Sequence, residues 1–434
     1  MKPLGRNESG QAIVLLVISL VVLLGFTALA IDGGMVYSDR RNAQNIADTS
    51  ALAGGGEAAS ALAEKEIAYL NWEECNDELE LRAWYAAINR AETNSFNMDP
   101  VISVTVQCSP SLVNQERYIL VTAEISVETN TSFAHLLFSE PLRNKVEAVT
   151  KILPNRPFLF GNAIVSLSPN CGTNTGGITI GGGGNADNNI YISGGGIYSN
   201  SCIIGNGGVN VDVNNGEIIY RTTYTPPPPT SGSISPLPSQ DPNPIVFDTI
   251  LPPPCDDENQ APILTSPPNS GPIPPLSPGR YPNIKRTADF SMLPGLYCVE
   301  NDFEVTSGGV IAEGVTIYIM NGKFELNGNS TNILSAPLDC GPDDCYPAIK
   351  GVLLYLAEGN TSVVKLVGDA SSIFTGTIYA PSGTIQVGGT NSSVSEFYTQ
   401  IIGYNISVAG TASINMLFDS GQNLMRPAKM DLYR

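Results

Sequence analysis

The stretch Gln11–Ile31, QAIVLLVISLVVLLGFTALAI, is 21 residues long and contains no charged side chain. At about 1.5 Å per residue, an α-helix of this length measures about 31 Å, enough to cross the hydrocarbon core of a bilayer. We therefore predict a transmembrane helix over residues 11–31. Two other interpretations remain open, namely a signal peptide cleaved after Ala28-Leu29-Ala30 and a buried core helix.

Basic residues lie on both sides of this span, so the count of positive charges does not decide its orientation. Lys2 and Arg6 precede the span, and Arg40 and Arg41 follow it. The lengths of the flanking segments differ greatly, because about ten residues precede the span and about four hundred follow it. Long domains translocate largely regardless of charge. We therefore predict a single-pass protein of the cell membrane with a cytoplasmic N-terminus and an extracytoplasmic bulk at the cell surface.

Charge divides the remaining chain into two different parts. The formal net charge is -19, which argues against a nucleic-acid partner because phosphate binding needs a basic surface. Residues 32–150 contain 18 acidic and 8 basic side chains, whereas residues 161–220 contain only Asp187, Asp212 and Glu217. The sequence therefore predicts two physically distinct modules, and we expect neither to hold a cofactor or a metal.

The eight cysteines are an even number on the predicted outer side of the membrane, where thiols usually pair. Pairing neighbours in sequence predicts the disulfides Cys75–Cys108, Cys171–Cys202, Cys255–Cys298 and Cys340–Cys345. Other connectivities, buried free thiols, and a metal site at residues 340–345 remain alternatives. The metal alternative lacks a second ligand pair and the usual two-residue gap.

Residues 32–157 have the pattern of helices followed by a small sheet. The alanine-rich segment 35–53 predicts a helix that continues from the span, and Gly54–Gly56 predict a break, since glycine costs about 1 kcal/mol relative to alanine in a helix. Residues 57–90 again predict a helix. Alternating β-branched residues predict strands at 101–108, 118–129 and 146–152.

From about residue 158 a frame of two apolar residues followed by glycine recurs. Three frames, beginning at Val364, Ile385 and Ile406, are spaced by 21 residues each. Further apolar pairs begin at Phe303, Phe324, Ile178 and Ile190. Such a period is typical of a β-solenoid, in which the apolar pairs stack as an interior ladder. We predict an all-β parallel β-helix, with a glycine-rich β-sandwich as the alternative.

Proline interrupts the repeat between Pro226 and Pro282, which enclose 19 of the 32 prolines. Proline has no N–H to donate to a sheet, so this segment predicts an extended loop or linker outside the solenoid. Cys255 and Cys298 could attach it.

Some parallel β-helices cleave acidic polysaccharides, so an enzyme is the competing interpretation. Glu304 and Glu325 lie 21 residues apart at equivalent places of the repeat and could stack as a like-charge pair that binds a cation or raises one pKa. Two solvated surface residues are the simpler interpretation. We predict no catalytic residue and keep a polysaccharide-binding or polysaccharide-cleaving protein on a membrane tether as the alternative.

The N-terminal residues resemble the signature of TadE/TadG-like proteins of the bacterial tight-adherence (Flp) pilus-assembly systems. The resemblance rests on Glu8 to Ala12, the apolar span with Gly25, Asp32-Gly33-Gly34, Tyr37, Arg40 to Asp48, and Ser50 to Gly54. It implies an α+β pilin-like domain and an assembly helix that includes Gly10, Gln11, Gly25, Asp32, Tyr37 and Asp48. The small residues Ala12, Ser19, Gly25 and Ala28 would permit close helix packing.

The resemblance also implies partners: the membrane, pilus or Tad secretion components through the N-terminal helix, and, on an adhesive surface protein, surface glycans. Pilin-type leaders end in Gly and carry Glu five residues later, whereas Leu15 is the fifth residue after Gly10. This difference favours a permanently anchored accessory component over a major pilin subunit.

These inferences give a predicted domain organisation. It comprises a cytoplasmic tail at 1–10, a transmembrane helix at 11–31, an α+β domain at 32–157, first β-helix coils at 158–224, a Pro-rich insertion at 225–282, and the main β-helix domain at 283–434.

Overall fold

The structure is a computed structural model of the chain. It describes residues 9–64, 77–95, 99–109, 117–134, 140–154, 156–172, 176–182, 189–206, 210–214, 216–226, 232–236, 249–326, 329–340, 345–369, 371–389, 395–410, 414–426 and 428–433.

Two helices and three antiparallel strands begin the chain. They are α1 (Ser9–Glu64), α2 (Asp77–Asn94), β1 (Val101–Cys108), β2 (Ile119–Thr129) and β3 (Leu142–Leu153). Short strands follow: β4 (Arg156–Pro157), β5 (Asn162–Ser166), β6 (Gly177–Gly182), β7 (Asn189–Ser193), β8 (Gly196–Ser199), β9 (Ile203–Asn206), β10 (Asn210–Asn214), β11 (Glu217–Tyr220) and β12 (Ser233–Pro236).

The remaining strands follow the proline-rich region. They are β13 (Gly279–Tyr281), β14 (Ile284–Arg286), β15 (Phe290–Met292), β16 (Gly295–Val299), β17 (Phe303–Val305), β18 (Val310–Ala312), β19 (Val315–Ile319), β20 (Phe324–Glu325), β21 (Ile333–Ser335), β22 (Val352–Leu356), β23 (Val363–Gly368), β24 (Ile373–Gly389), β25 (Ser395–Gly410), β26 (Ile414–Leu417), β27 (Met425–Arg426) and β28 (Lys429–Tyr433). The chain therefore has a long apolar helix, a second short helix and a mostly β C-terminal region, as predicted.

The chain forms two compact units. The first contains residues 1–156 together with 427–434, and the second contains residues 157–426. The first change of unit falls between residues 156 and 157. The last strand differs from the predicted organisation, because β28 pairs with β3 in the first unit.

The first unit is a four-stranded antiparallel sheet in the order β1-β2-β3-β28, covered by helices. Strand β2 alternates buried and half-buried residues along most of its length, as expected when one face of a sheet packs on a core. Its buried residues, including Val121 and Ile125, join alanines of both helices in one hydrophobic cluster.

Helix α1 runs without interruption through Gly54–Gly56, so the predicted break is wrong. A Cβ at Gly54 would lie 2.8 Å from Cγ1 of Val121 and 2.9 Å from the carbonyl oxygen of Ala83. A Cβ at Gly55 would lie 2.6 Å from Cγ2 of Thr150. Glycine is therefore needed for close packing of α1 on α2 and the sheet, and this packing outweighs the low helix propensity of glycine.

The separate helix predicted over residues 57–90 also differs from the structure. Residues 57–64 are the last turns of α1, and the second helix covers Asp77–Asn94. Residues 65–76 lie outside the described part of the chain.

The second unit is a 22-stranded sheet whose strands pair in parallel. From β13 to β21, each strand pairs with the strand three positions later, for example β14 with β17 and β17 with β20. The repeating unit is therefore three strands. Stacked strands lie about 20 residues apart in sequence from β13 to β21, as the spacing of the apolar pairs predicted, whereas β19, β20 and β21 lie about 40 residues before their partners β22, β23 and β24.

One interior column confirms the predicted ladder. In register, Phe303 pairs with Phe324, Phe324 with Val364, Val364 with Ile385, Ile385 with Ile406, and Ile406 with Ile178. These side chains are almost completely buried, and the Phe303 and Phe324 rings stack with centroids 4.8 Å apart. The apolar pair that begins at Ile190 lies in a different column, in which Ile190 pairs in register with Ile414.

The order of strands in space differs from their order in the chain. Strand β25 pairs with β5 and β6, and β26 pairs with β7, so residues 162–236 stack onto the C-terminal strands. The segment predicted as the first coils therefore lies beyond the last ones in the stack. One column of ten described strands begins with β13 and ends with β12. This column is about 40 Å long, because neighbouring strands lie about 4.8 Å apart.

The chain between β12 and β13 must return along this length, and its described part does so along one outer face. The outward residues of that face include Tyr318, Tyr355 and Tyr379, whose rings contact one another edge to face at 5.2 and 5.1 Å. Ile250 packs in the same buried cluster and accepts a hydrogen bond from the Tyr355 hydroxyl at 2.7 Å. The predicted surface loop therefore covers a hydrophobic face, which explains why all residues of β22 are buried.

Three of the predicted disulfides are present. They are Cys171–Cys202, Cys255–Cys298 and Cys340–Cys345, with Cα–Cα distances of 5.4, 5.8 and 4.7 Å. Cys255–Cys298 joins the proline-rich segment to β16, as predicted. Cys108 is disulfide-bonded, whereas its predicted partner Cys75 lies outside the described residues.

The tight contact at Gly54 predicts opposite effects for two neighbouring substitutions. Gly54→Ala should lower the free energy of unfolding of the first unit by about 1–3 kcal/mol, because the new methyl group overpacks the contact with Val121 and Ala83. Gly56→Ala is the matched control, since nothing lies within 4 Å of its Cβ position. It should raise stability by about 0.5–1 kcal/mol through helix propensity.

Denaturant unfolding in detergent, followed by tryptophan fluorescence, measures this difference, because Trp72 and Trp84 both lie in the first unit's range. Equal effects of the two substitutions would contradict the packing explanation.

Candidate functional site

The first half of α1 exposes an uninterrupted apolar surface. Its larger apolar side chains from Ile13 to Ile31 are between 43% and 70% exposed. The most apolar 18-residue window has a mean hydropathy of 3.0, and none of it is buried within the chain. A core helix would bury these side chains, so the exposure disfavours that alternative. By length and apolarity this segment can cross a membrane.

Polar side chains within this segment bond to the helix itself. The Ser19 hydroxyl donates to the Leu16 carbonyl at 2.8 Å, and the Thr27 hydroxyl donates to the Leu23 carbonyl at 2.9 Å. Nothing lies within 4 Å of the Cβ position of Gly25. Satisfied hydroxyls suit a lipid environment, and the open glycine leaves room for a second helix.

Asp32 ends the apolar surface and holds a loop of the sheet. Its carboxylate accepts hydrogen bonds from the backbone N–H groups of Ser132 at 2.7 Å, Phe133 at 3.1 Å and Ala134 at 2.6 Å. The side chain is only 6% exposed. Hydrogen bonds to a charged acceptor are stronger than neutral ones, so Asp32 fixes the loop after β2 to the end of the apolar segment.

Sequence reasoning included Asp32 in the helix signature but missed this role. A partner 100 residues away in sequence, provided by backbone groups, leaves no pattern of side chains to detect. The one available signal is that Asp32 is the first charge after 21 uncharged residues.

The second half of α1 packs on its own unit through polar contacts. The Ser50 hydroxyl donates to the Ala87 carbonyl of α2 at 2.7 Å, whereas the bond that Gln44 donates to Asp48 at 2.7 Å lies within α1. Asn94 of α2 donates to the Thr49 hydroxyl at 2.7 Å. These bonds connect the apolar half of α1 to a folded unit through one continuous helix.

The predicted assembly residues are thus spread along α1 and do not form one cluster. Gly10 and Gln11 lie in its first turns, and Gly25 lies on the exposed apolar half. Asp32 and Asp48 make the bonds described above, whereas Tyr37 is 69% exposed.

Glu304 and Glu325 pair in register, as the 21-residue spacing predicted, but lysines separate their charges. Lys323 contacts Glu304 at 3.1 Å and Glu325 at 2.7 Å, and Lys365 contacts Glu325 at 3.0 Å. Lys285 continues the row by contacting Asp302 at 2.7 Å. Hydrogen bonds from Lys323 and Lys365 hold the pKa of Glu325 below its ordinary value, so the alternative of a like-charge pair with a raised pKa does not hold for Glu325.

This row of charges makes the second unit sensitive to acid. Because the pKa of Glu325 is lower in the folded chain than in the unfolded chain, its contribution to stability is present above the ordinary value of about 4.5 and is lost as the pH falls below it. Melting temperature should therefore fall between about pH 6 and about pH 3, and Glu325→Gln should reduce this fall. The exposed Glu313 provides the control substitution Glu313→Gln, which should leave the slope unchanged.

The Asp32 contact predicts protection of three backbone amides. Asp32→Asn should speed hydrogen exchange at residues 132–134 about tenfold or more, because the three N–H groups lose a charged acceptor. Asp39 lies seven residues after Asp32 on α1 and is half-buried. The substitution Asp39→Asn is the control and should leave exchange unchanged. Unchanged exchange in Asp32→Asn would contradict the proposed fixing of the loop.

Comparison with known protein families gives a match that covers most of α1. Residues 10–61 match the family described as putative Flp pilus-assembly TadE/G-like. No curated protein and no solved structure matches the chain. The match includes both the apolar half of α1 and the half that packs on the sheet. The N-terminal helix therefore carries the TadE/TadG-like signature of Flp pilus-assembly proteins.

Proposed function

We propose that this protein is a membrane-anchored, non-catalytic component of Flp/Tad-type pilus assembly whose N-terminal helix inserts into the membrane beside other helices of the system. The observation that carries the proposal is the coincidence of the matched residues 10–61 with one helix that is apolar and exposed in its first half and packed on a folded unit in its second half. Such a helix can transmit its position in the membrane to the sheet that it supports.

The proposed orientation has the N-terminus in the cytoplasm, residues 11–31 in the membrane, and the rest of both compact units outside the cytoplasm. Three disulfides within the second unit support this orientation, because disulfides persist in oxidising compartments and are rare in the cytosol. Permanent anchoring is part of the proposal, since Leu15 occupies the position where a pilin leader carries Glu.

The second unit is proposed to be a parallel β-helix that presents a rigid surface for adhesion. Its stacked pairing with a three-strand repeat and its interior aromatic and aliphatic columns support this interpretation. The disulfide at Cys255 and the buried tyrosines under the returning segment further stabilise the stack. A rigid stack presents binding surfaces at a low cost in conformational entropy.

A non-catalytic role agrees with the chemistry of the row of charges. A general acid needs a carboxyl group that keeps its proton near neutral pH, and Glu325 has the opposite shift because Lys323 and Lys365 bind it. The surface at Glu304 and Glu325 is thus better suited to stabilise the stack than to cleave a glycosidic bond.

The small residues of the apolar segment provide a test of helix assembly. Gly25→Leu should reduce co-purification of pilus components with the full-length protein by about fivefold or more, because a large side chain would prevent close approach of a second helix. Folding of the chain should be unaffected, since nothing lies within 4 Å of this position.

Ala30→Leu is the control, because five residues rotate the side chain about 140° around the helix axis. Co-purification that is unchanged in Gly25→Leu, and lost only when residues 157–426 are removed, would contradict assembly through α1.

A further inference from the structure

The loop after β2 exposes a sequence, Glu128-Thr129-Asn130-Thr131-Ser132, that has the chemistry of a glycan acceptor. Asn130 is exposed immediately beyond the end of β2, and Ser132 is also exposed. Their backbone is fixed nearby, because Asp32 accepts from the N–H groups of residues 132–134. An asparagine two residues before a serine or threonine on a surface loop is the acceptor pattern for N-linked glycans in exported proteins.

We propose that Asn130 is an N-glycosylation site, modified on the outer side of the membrane by a glycosyltransferase that uses a lipid-linked oligosaccharide. The acidic Glu128 two positions before the acceptor matches the extended pattern, Asp/Glu-x-Asn-x-Ser/Thr, that bacterial transferases of this class select. This inference rests on the proposed orientation, because the donor sugar chain is available outside the cytoplasm.

Other Asn-x-Ser/Thr sequences in the chain are disfavoured by their surroundings. Asn360 also lies two positions after an acidic residue, Glu358, but Asn360 is only 8% exposed. Its Nδ2 donates to the Gly322 carbonyl at 2.9 Å, and its Oδ1 accepts from the Ser362 N–H at 3.0 Å. A glycan at this nitrogen would replace the bond to Gly322 and separate neighbouring strands of the stack.

Two further candidates lack the acidic residue. The residue two positions before Asn329 is Asn327, and the residue two positions before Asn405 is Gly403. Asn405 lies within β25, where its Nδ2 donates to the Thr384 hydroxyl at 3.3 Å. Asn7 and Asn391 lie outside the described residues. Among the sequences that the structure describes, only the one at Asn130 combines an exposed amide, an exposed hydroxyl and the acidic residue.

In the proposed transfer, the bond that forms at Asn130 is matched by a bond that breaks in the donor. The Asn130 Nδ2 attacks the anomeric carbon of an oligosaccharide linked to a polyprenyl diphosphate and forms the C–N bond. The C–O bond to the diphosphate breaks, the nitrogen loses one proton to a base of the transferase, and the polyprenyl diphosphate leaves. Ser132 is exposed, and its hydroxyl donates a hydrogen bond of 3.7 Å to the Met35 sulfur, a weak acceptor that a transferase group can replace.

The fold places this acceptor near the membrane that holds the donor. Asp32 directly follows the apolar segment, and the loop that it binds begins two residues after Asn130. A glycan at this position would surround the base of the first unit without contacting its hydrophobic cluster, because Asn130 points away from the core at an exposed position.

Mass spectrometry of the full-length protein from its native membrane tests the proposal. Trypsin releases residues 118–143, which contain Asn130 as their one acceptor sequence, and residues 351–365, which contain Asn360. We expect a sugar mass and sugar fragment ions on the 118–143 peptide and an unmodified 351–365 peptide. Asn130→Gln and Ser132→Ala should each abolish the modification, whereas Thr131→Ala should retain it because the middle position is not recognised.

An unmodified 118–143 peptide in the native protein, or a sugar that persists in Asn130→Gln, would overturn the inference. The same digest without reduction reports the disulfide between Cys171 and Cys202. An intact disulfide with an unmodified Asn130 would therefore reject the glycosylation site and leave the proposed orientation standing, whereas the absence of both would reject the orientation as well.

Discussion

The close contact of α1 with the sheet at Gly54 and Gly55 is the constraint on which the first unit depends. At these positions the helix approaches Val121, Ala83 and Thr150 too closely for a side chain. The contact holds α1 against the sheet beyond the apolar segment, and the alanines at 43, 47 and 51 continue the same packed face. The position of the apolar half is consequently coupled to the sheet, and Asp32 adds a second attachment at the end of the apolar surface. An assembly helix needs this coupling, since insertion beside other helices would otherwise leave the folded unit free to reorient.

The second unit buries its apolar residues in a different way. Short strands bury little individually, and stacking in parallel gives each strand two neighbours and aligns side chains such as Phe303 and Phe324 into columns. Stacking residues 162–236 beyond β26 leaves the two ends of the proline-rich segment far apart. The returning chain then covers the tyrosines of one outer face, while the row from Lys285 to Lys365 neutralises its own charges on another face. At the end of the stack nearest β14, the buried guanidinium of Arg286 donates to the carbonyls of Pro268 and Gly271, so the same segment also covers this end.

These features separate the parts of the protein by role. The apolar half of α1 is exposed and long enough to cross a membrane, the first unit carries an exposed acceptor sequence at Asn130, and the second unit is a stack of parallel strands. The proposed assembly through the helix and the proposed modification of the sheet involve different residues, so each can be tested while the other is left intact.

The sequence by itself determined the features that depend on local pattern and period. The uncharged run from Gln11 predicted the long helix, alternation predicted β1 and β2 to within a residue, and the 21-residue spacing predicted the column through Phe324 and Ile406. Proximity in sequence predicted three disulfides. These succeed because helix faces, strand faces and repeats are periodic in the chain. Only the tertiary structure decided that glycines continue α1, because their role lies in the close approach of Val121 and Thr150. It also decided the partners of Asp32, the return of the proline-rich segment, and the pairing of the last strand with β3. Each of these depends on contacts between residues distant in sequence, for which a single chain carries no periodic signal.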